Sequence, residues 1–397
     1  MEPSVLFIVS SVTGNQLTRA YPFASALAKL GRKVEIVGPG DPGKDLYVKD
    51  PEIEIRRVPD LSLRGKLQWI SQKVAGYDVI CVIKPCFEGT IAAFAAKRQK
   101  KFLVYDLDDD DPRNWLFDVV DDARKFGLRS TLRYIPSAVA IMVNFSCRVL
   151  ADRISVASHE LKRRYGGTVM YVPVDASIFS DVDPVPPGDG VVMYTGAIRA
   201  HKGIETLIEA FKRVKEQLPS AKLYLVGPYD EGSYSWRVLK RLMNDVTDIY
   251  LTGLQPIQTM PSWLSKADCL VLPLPDNPVH RAQTPVKLLF YMASRRPIVA
   301  TSVGEVTKLL RDGESALVVP PEDPVSMSKA IVRLLSSREL SVRLAHRALE
   351  EFLRSHDLAS NRVKLLQFFS PAPGELERVE RDTGTKAGGE PTQRAGG

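Results

Sequence analysis

A run of acidic residues is the first candidate for chemistry in this sequence. It reads Asp106-Leu107-Asp108-Asp109-Asp110-Asp111 and directly follows the apolar segment 102–105, which predicts a β-strand. Carboxylates at this position could bind acceptor hydroxyls or act as a general base, with Asp106, Asp108 and Asp109 as the candidates. They could also supply oxygen ligands to a divalent metal, or form a solvated loop that caps the next helix.

A glycine turn with two cations is the second candidate. Gly196, Arg199 and Lys202 follow the apolar segment 191–194, and a helix is predicted to begin after Gly203. The backbone N–H groups and the dipole of such a helix attract phosphate, and the two side chains add full positive charge. The segment therefore predicts either a phosphate site or a solvated basic turn.

The third candidate is the start of another helix, at Thr284-Pro285-Val286-Lys287. Thr284 is a natural N-cap, and Pro285 suits the first helical position. Free N–H groups at this helix start could bind a diphosphate, with Lys287 beside them. A plain capped helix without a ligand is the alternative.

Short apolar segments alternate with amphipathic helical segments and must position these groups. This alternation indicates parallel sheets that are covered by helices on both faces and bind ligands at the carboxyl ends of their strands. The predicted strands are residues 5–9, 34–37, 53–58, 79–83, 102–105, 153–157 and 169–172, then 191–194, 223–226, 249–252, 269–272, 298–301 and 317–319.

A segment dense in proline and glycine divides the chain. Residues 184–190 predict a linker between two Rossmann-like, doubly wound domains at 1–183 and 191–350. A helix at 351–369 is expected to pack at the domain junction. The tail at 370–397 is rich in Gly, Pro and Glu and lacks an apolar period, so we expect it to be disordered.

The composition fits a globular protein of two domains. The 397 residues are 44% hydrophobic and 25% charged, with a net charge of +7 that could serve an anionic partner or solubility alone. Four cysteines without a CxxC pair predict reduced thiols and hence a cytoplasmic protein. The scattered histidines argue against zinc, and we expect neither a signal peptide nor a membrane span.

Two common nucleotide chemistries are excluded. A dinucleotide dehydrogenase needs G-x-G-x-x-G after its first strand, whereas this chain has Ser10-Ser11-Val12-Thr13-Gly14-Asn15 there. No G-x-x-x-x-G-K-[ST] segment is present, which argues against P-loop phosphoryl transfer.

A series of motifs in the second half resembles the retaining glycosyltransferases of family 4. In chain order the motifs are Tyr194-x-Gly196, His201-Lys202-Gly203-Ile204, Leu223-x-Leu225-Val226-Gly227, Leu251-x-Gly253, Ala267-Asp268-x-x-Val271-Leu272-Pro273, Pro285-x-Lys287-x-x-x-Tyr291-Met292-Ala293 and Asp312-Gly313. The resemblance implies the GT-B fold, in which two Rossmann-like domains face each other across a cleft. It also implies transfer of a hexose-type sugar from a UDP- or GDP-linked donor, with retention of configuration and no required cofactor.

The resemblance also implies roles for individual residues. Lys202 and Arg199 would clamp the diphosphate and stabilise the leaving nucleotide. The remaining donor contacts would come from Gly14 and Asn15 in the first domain and from Gly196, Gly227, Leu254, Thr284, Pro285, Val286 and Lys287 in the second.

Three positions depart from the family pattern. The family usually has a Glu at the positions of Ala282 and Phe290, the second of which holds the donor ribose, and an Arg at the position of Ala197. A catalytically silent family member that acts as a binding or scaffolding subunit is therefore the alternative. A sugar-nucleotide epimerase is a further possibility without specific support.

Basic residues in the first half suggest a lipid-linked acceptor. They are Lys97, Arg98, Lys100, Lys101, Arg124, Lys125, Arg129, Arg133, Lys162, Arg163 and Arg164, and the middle group adjoins the apolar segment 134–150. This arrangement fits either a peripheral contact with an anionic membrane or a solvated face over a buried helix. No nucleic-acid-binding module is recognised.

Overall fold

The computed structural model describes residues 2–14, 17–126 and 135–371, which form two parallel β-sheets covered by helices. The tail that we expect to be disordered lies outside the described residues beyond residue 371. Among the described residues, no helix is both long and apolar enough to cross a membrane.

The first sheet has seven strands. In chain order the elements are β1 (Val5–Val9), α1 (Leu17–Lys29), β2 (Val34–Gly38), β3 (Glu54–Arg57), α2 (Leu63–Ala75), β4 (Val79–Ile83), α3 (Phe87–Arg98), β5 (Phe102–Leu107), α4 (Asp111–Phe126), α5 (Ile135–Ser146), β6 (Arg153–Val156), α6 (His159–Tyr165) and β7 (Thr168–Val169). The strand order is β3-β2-β1-β4-β5-β6-β7. Each predicted strand is present, with small shifts at the ends.

The second sheet has six strands. Its elements are β8 (Val191–Thr195), α7 (Ile204–Gln217), β9 (Lys222–Val226), α8 (Tyr234–Asn244), β10 (Ile249–Leu251), α9 (Met260–Leu264), β11 (Cys269–Leu272), α10 (Pro278–Ala282), α11 (Val286–Ala293), β12 (Ile298–Thr301), α12 (Val306–Leu309), β13 (Leu317–Val319), α13 (Pro324–Ser336), α14 (Arg338–Ser355) and α15 (Leu358–Phe368). The strand order is β10-β9-β8-β11-β12-β13.

The strand registers place the loops that carry the candidate residues. β4 and β5 pair in parallel with Ile83 opposite Asp106, so Lys84 and the acidic run leave the same edge of the first sheet. In the second sheet, Thr195 pairs with Val226, which brings the turns at Gly196 and Gly227 together. Continuous burial of β1, β4 and β8 explains why these strands read as unbroken apolar segments.

The end of the chain returns to the first domain. α15 packs against α1, and the ring of Phe369 lies 5.7 Å from that of Phe7 and 5.9 Å from that of Phe23. Arg32 donates a hydrogen bond of 2.7 Å to the carbonyl of Phe369. The last helix therefore packs against the core of the first domain.

Candidate functional site

Lys84 organises the acidic run at the carboxyl end of the first sheet. Its ammonium lies 2.5 Å from Asp109 Oδ2, 3.9 Å from Asp108 Oδ1 and 3.8 Å from Asp111 Oδ1. Burial lowers the pKa of Lys84, but the three carboxylates outweigh burial and raise it above the ordinary value. Lys84 is therefore a permanent cation, and the sequence analysis missed it although it directly follows β4.

The three carboxylates around Lys84 differ in protonation. Burial raises the pKa of Asp108 to about 6 and the pKa of Asp111 to about 8. The pKa of Asp109 is lowered, because Lys84 and a hydrogen bond from Gln283 outweigh burial. Asp108 Oδ1 and Asp111 Oδ2 are buried without a hydrogen-bond partner among the described residues. Asp108 is thus an available acceptor whose charge changes near neutral pH.

Asp106 belongs to the core and not to the cleft. Arg19 binds it through two hydrogen bonds of 2.5 and 2.8 Å, and Ser155 donates a third of 2.5 Å. Its side chain is 1% exposed. The sequence reasoning grouped Asp106 with its neighbours because it could not separate the last inward residue of β5 from the loop. We therefore remove Asp106 from the catalytic candidates.

Asp110 is also structural. It accepts hydrogen bonds from Arg164 and from the hydroxyl of Tyr165, the latter at 2.7 Å. It also accepts a hydrogen bond from the backbone N–H of Arg113 in the first turn of α4. The acidic run thus divides into buried anchors, Asp106 and Asp110, and a cleft-facing group around Lys84.

The glycine turn of the second domain is tightly packed. A Cβ atom at Gly196 would collide with Lys287 Nζ, and one at Gly227 would collide with the Gly196 carbonyl. Both glycines have positive φ, of 121° and 153°. The predicted donor residues Gly196, Gly227 and Lys287 therefore come together as the resemblance implied.

Lys202 and Lys287 bring two ammonium groups to this turn. The charge of Asp109 raises the pKa of Lys202 in part, but it does not outweigh burial. No described carboxylate lies within 4.0 Å of either ammonium, and Lys287 Nζ instead sits 4.0 Å from the ring centroid of Tyr194. Burial lowers the pKa of both lysines, and Lys202 lowers that of Lys287 further. Arg199, which is exposed, also lowers the pKa of Lys202. An anionic ligand would offset the cost of keeping these lysines charged in a buried environment.

His280 is a second residue that the sequence analysis missed. It is 2% exposed in α10, and burial followed by the charge of Lys202 lowers its pKa to about 4. The imidazole is therefore neutral at pH 7 and does not compete with the cations for an anion. Nothing in the sequence around this single histidine predicted that it would be buried near Lys202.

The start of α11 differs from the prediction in one respect. Pro285 and not Thr284 is the N-cap residue, so the prediction that Thr284 caps the helix was wrong. The Thr284 hydroxyl instead donates a hydrogen bond of 2.5 Å to the carbonyl of Ala157 in the first domain. The N–H groups of Val286 and Lys287 have no acceptor within the helix and remain available to an anion by helix geometry.

Contacts between the domains frame the site from both sides. Gln283 donates a hydrogen bond to Asp109, and Ser158 donates one of 2.5 Å to the carbonyl of Ala282. Glu305 accepts hydrogen bonds from the His159 N–H at 2.8 Å and from the Tyr171 hydroxyl at 2.8 Å. The acidic loop and the cation group are therefore held across one cleft.

Glu305, a further residue that the sequence analysis missed, is the centre of this interdomain contact. It is 1% exposed, and its second oxygen lies 3.0 Å from His159 Nδ1. Gly304, at φ 54°, packs against the backbone of α10, where a Cβ atom would meet the carbonyls of His280 and Arg281. The turn after β12 thus couples α10 to the first domain.

Ala282 and Phe290 occupy apolar surroundings where the family pattern has acids. Ala282 is fully buried, and the ring of Phe290 meets that of Phe179 edge-on with centroids 6.4 Å apart. Phe290 therefore packs against the segment that leads into the linker. This contact gives the position a structural role.

The other predicted donor residues lie around the cleft or outside the described part. Gly14 lies in the turn between β1 and α1, whereas Asn15 lies outside the described residues. Leu254 follows β10 and is 58% exposed. The side chains of Arg124, Lys125, Arg129 and Arg133 also lie outside the described residues.

The second domain matches a known protein family. Residues 189–337 match the family described as glycosyl transferases group 1. An alpha-D-kanosaminyltransferase of Streptomyces kanamyceticus is 31% identical over 40% of this chain and 39% of its own length. A lipopolysaccharide core biosynthesis glycosyltransferase of Rhizobium meliloti is 27% identical over 62% of this chain and 70% of its own length. The match to the first two curated relatives spans 39% and 44% of their length.

The whole fold matches solved glycosyltransferase structures. Anabaena Alr3699/HepE, solved with UDP-glucose, superposes with a TM-score of 0.67 at 15% identity, covering 92% of this chain and 99% of that one. Sucrose-phosphate synthase from Thermosynechococcus elongatus gives 0.66 at 18% identity, covering 96% and 100%. The prediction of two Rossmann-like domains in a GT-B arrangement is therefore confirmed.

Proposed function

We propose that this chain is a retaining glycosyltransferase. It transfers a hexose-type sugar from a UDP- or GDP-linked donor to a saccharide or lipid-linked acceptor. The observation that carries this proposal is the cation group at Gly196, where Lys202 and Lys287 have lowered pKa values and no described carboxylate partner. A nucleoside diphosphate supplies the missing negative charge. The match of residues 189–337 to group 1 glycosyltransferases supports the same function.

The reaction divides between the two sides of the cleft. The acceptor oxygen forms a bond to the anomeric carbon on the same face from which the diphosphate leaves, as the bond from that carbon to the diphosphate breaks, so the configuration is retained. The nucleoside diphosphate leaves with the bonding electrons, and Lys202, Lys287 and Arg199 stabilise its charge. Asp108 accepts the proton of the acceptor hydroxyl, because its pKa of about 6 lies near neutral pH. Asp109, held ionised by Lys84, positions Gln283 and the acceptor.

In this proposal the cation group takes the role that a divalent metal has in other enzymes, which is to stabilise the leaving group. Among the described residues, no set of three or more His, Cys, Asp or Glu side chains is placed to hold a metal ion. The fixed cations supply the positive charge that a divalent ion would bring to the leaving group. We propose transfer without a required metal or other cofactor, which an assay with EDTA tests directly.

The state of the cysteines supports a proposal for the place of action. All four cysteines are free and buried, which supports a reducing compartment. We propose a cytoplasmic protein that works at the cytoplasmic face of a membrane.

Binding of nucleotides by calorimetry tests the donor site. UDP, GDP, ADP and their common sugar conjugates are titrated into the protein, and into Lys202→Ala and Lys329→Ala variants. Lys329 is an exposed lysine of α13 and serves as the matched control. One nucleotide family should bind, with at least about tenfold loss in Lys202→Ala, since a charge-assisted hydrogen bond contributes about 1.5–3 kcal/mol.

The alternative function, a silent binding subunit, rests on Phe290. If no nucleotide binds, the apolar contact between Phe290 and Phe179 has replaced the donor site. If nucleotides bind but no donor is turned over, the chain is a nucleotide-binding subunit. Transfer or hydrolysis of a nucleotide-sugar excludes both outcomes. If binding survives Lys202→Ala unchanged, Lys202 is not part of the donor site.

A further inference from the structure

Three helices of the first domain expose large apolar side chains to solvent. Soluble proteins rarely expose such side chains in groups, and a large exposed apolar patch marks an interaction site. Phe94 is 59% exposed, Leu63 is 60% exposed and Val139 is 66% exposed. The full set, which we call the apolar face, comprises Leu63, Leu67, Phe87, Phe94, Val139, Met142 and Val143.

Helical spacing aligns these side chains within each helix. Leu63 and Leu67 are four residues apart in α2, and Phe87 and Phe94 are seven apart in α3. Val139, Met142 and Val143 follow the same i, i+3, i+4 pattern in α5. α3 packs against both α2 and α5. Three apolar stripes therefore lie on neighbouring helices of one domain.

The charge of these helices is almost entirely basic. α2 contains Arg64, Lys66 and Lys73 without an acid, and α5 contains no charged residue. α3 contains Lys97 and Arg98, which lie one turn from Phe94, and one acid, Glu88. Three of these cations form ion pairs: Lys73 with Glu35 at 2.6 Å, Lys66 with Glu88 at 3.9 Å and Lys97 with Asp152 at 2.6 Å. Among the described residues, no carboxylate lies within 4.0 Å of Arg64 or Arg98. Arg64 and Arg98 therefore provide the positive charge beside the apolar face that complements an anionic surface.

We propose that the apolar face docks on an anionic lipid bilayer. Helices that lie in the membrane interface combine phenylalanine, leucine and methionine with lysine and arginine. They bury the apolar side chains between lipid headgroups and attract anionic lipid through the cations. A protein partner would instead favour a core depleted of charge with a mixed polar rim. The positive charge of Arg64 and Arg98 beside the apolar face favours the bilayer.

The apolar face also lies close to the candidate acceptor site. α4 begins at Asp111, at the end of the acidic loop, and packs against α5. Two further exposed apolar residues, Leu116 and Val120, lie one turn apart on α4. A bilayer that contacts the apolar face therefore lies beside the acidic loop. This position would present a lipid-linked acceptor to the acidic loop, so we assign the acceptor to that class. This assignment of the acceptor rests on the proposed function, whereas the docking itself does not.

Cosedimentation with vesicles tests the docking. The full chain is mixed with vesicles of pure phosphatidylcholine or of phosphatidylcholine with phosphatidylglycerol. We expect binding to the anionic vesicles, weakened by high salt, and at least about tenfold weaker in a Leu67→Ser/Phe94→Ser variant and in Arg98→Glu. Tyr234→Ser, at a tyrosine of α8 that is 75% exposed in the second domain, is the matched control and should bind as the parent does.

Three results would overturn the proposal. They are absence of binding to anionic vesicles, equal binding to neutral vesicles, or equal weakening by Tyr234→Ser. A dimer in analytical ultracentrifugation that Leu67→Ser/Phe94→Ser dissociates would assign the apolar face to a second copy of the chain. Circular dichroism and UDP titration of each variant confirm folding, and UDP binding separates loss of docking from failure of the donor site.

Discussion

Lys202 and Lys287 are cations in an environment that disfavours their charge. Burial is the largest cause of the lowered pKa of each lysine, and nearby positive charge adds to it. The negative charge of a bound diphosphate opposes both causes, because it favours the charged form of each lysine, so the pKa values rise on binding. Nucleotide binding is therefore linked to proton uptake at any pH between the pKa values of the free and bound forms.

The sign of this linkage predicts how affinity depends on pH. Below the lowered pKa values, both lysines are charged before and after binding, and affinity is independent of pH. Above them, binding must take up a proton, and each pH unit costs about 1.4 kcal/mol for one lysine. Titration calorimetry of UDP from about pH 7 to about pH 9.5 should show weakening with proton uptake. Lys202→Ala should flatten this profile and Lys329→Ala should not; a flat profile in the parent protein contradicts the assignment.

Asp108 should control the pH dependence of transfer. Its pKa is raised to about 6 by burial, so its carboxylate is lost as the pH falls through about 6. We expect kcat to fall on that side, and we expect Asp108→Asn to lower kcat about 100-fold or more, within the range for a general base. Affinity for UDP should stay unchanged because Asp108 lies on the acceptor side. Asp109→Asn provides the comparison, because this change should also disturb the contacts of Asp109 with Lys84 and Gln283.

Phe290 should contribute to stability more than to donor binding. Phe290→Leu removes the edge-on contact with Phe179 and should lower the free energy of unfolding by ~1 kcal/mol. The UDP dissociation constant should stay within about twofold, because Leu keeps the position apolar and makes no polar contact with a ribose. Urea denaturation and UDP calorimetry measure the two effects. A tenfold weaker UDP complex would instead place Phe290 at the donor.

At the scale of elements, strands were more predictable than the ends of helices. Apolar segments such as 5–9 and 191–194 become central strands because both faces are buried, and this burial is written into composition. Helix starts depend on single backbone groups. A proline is disfavoured inside a helix, so Pro22 favours a start near Tyr21, yet α1 begins at Leu17 and carries Pro22 inside it. The packing of α1 against β1 and β2 accommodates this proline.

Gly203 shows how one turn positions a functional element. It precedes α7 with φ 76°, and a Cβ atom there would overlap the carbonyl of Pro273. Gly203→Ala should cost ~3 kcal/mol of stability, from left-handed strain and from the backbone clash together. Gly253→Ala is the control, because Gly253 has φ 70° with nothing within 4 Å of a Cβ atom, and strain alone should cost ~1 kcal/mol. Thermal denaturation compares the two, and equal costs would contradict the role of Pro273.

At the scale of the whole molecule, the site depends on contacts that no local sequence pattern encodes. The hydrogen bond from Gln283 to Asp109 joins residues separated by 174 positions, and the contact of His159 with Glu305 spans 146. Motif order predicted which loops face the cleft, since those loops follow strand ends. It could not predict which side chains cross the cleft, because that depends on how the two domains close.

Glu305 should determine how firmly the domains close. Its buried carboxylate accepts hydrogen bonds from His159 and Tyr171, which both belong to the first domain across the cleft. Gln at this position keeps the shape but removes the charge and one acceptor, which weakens hydrogen bonds to a charged group worth about 1.5–3 kcal/mol each. We therefore expect Glu305→Gln to open the cleft, with a larger radius of gyration in X-ray scattering.

Opening should separate the two halves of catalysis. UDP binds groups of the second domain, so its affinity should change little in Glu305→Gln. Asp108 and the donor site lie on opposite sides of the cleft, and transfer requires closure to bring them together. We therefore expect kcat to fall by about tenfold or more as the closed state becomes a minor population. Glu314→Gln, at a carboxylate that is 64% exposed in the same domain, should leave scattering and kcat unchanged. If Glu305→Gln lowers kcat without any change in scattering, Glu305 acts on the local position of α10 and not on closure.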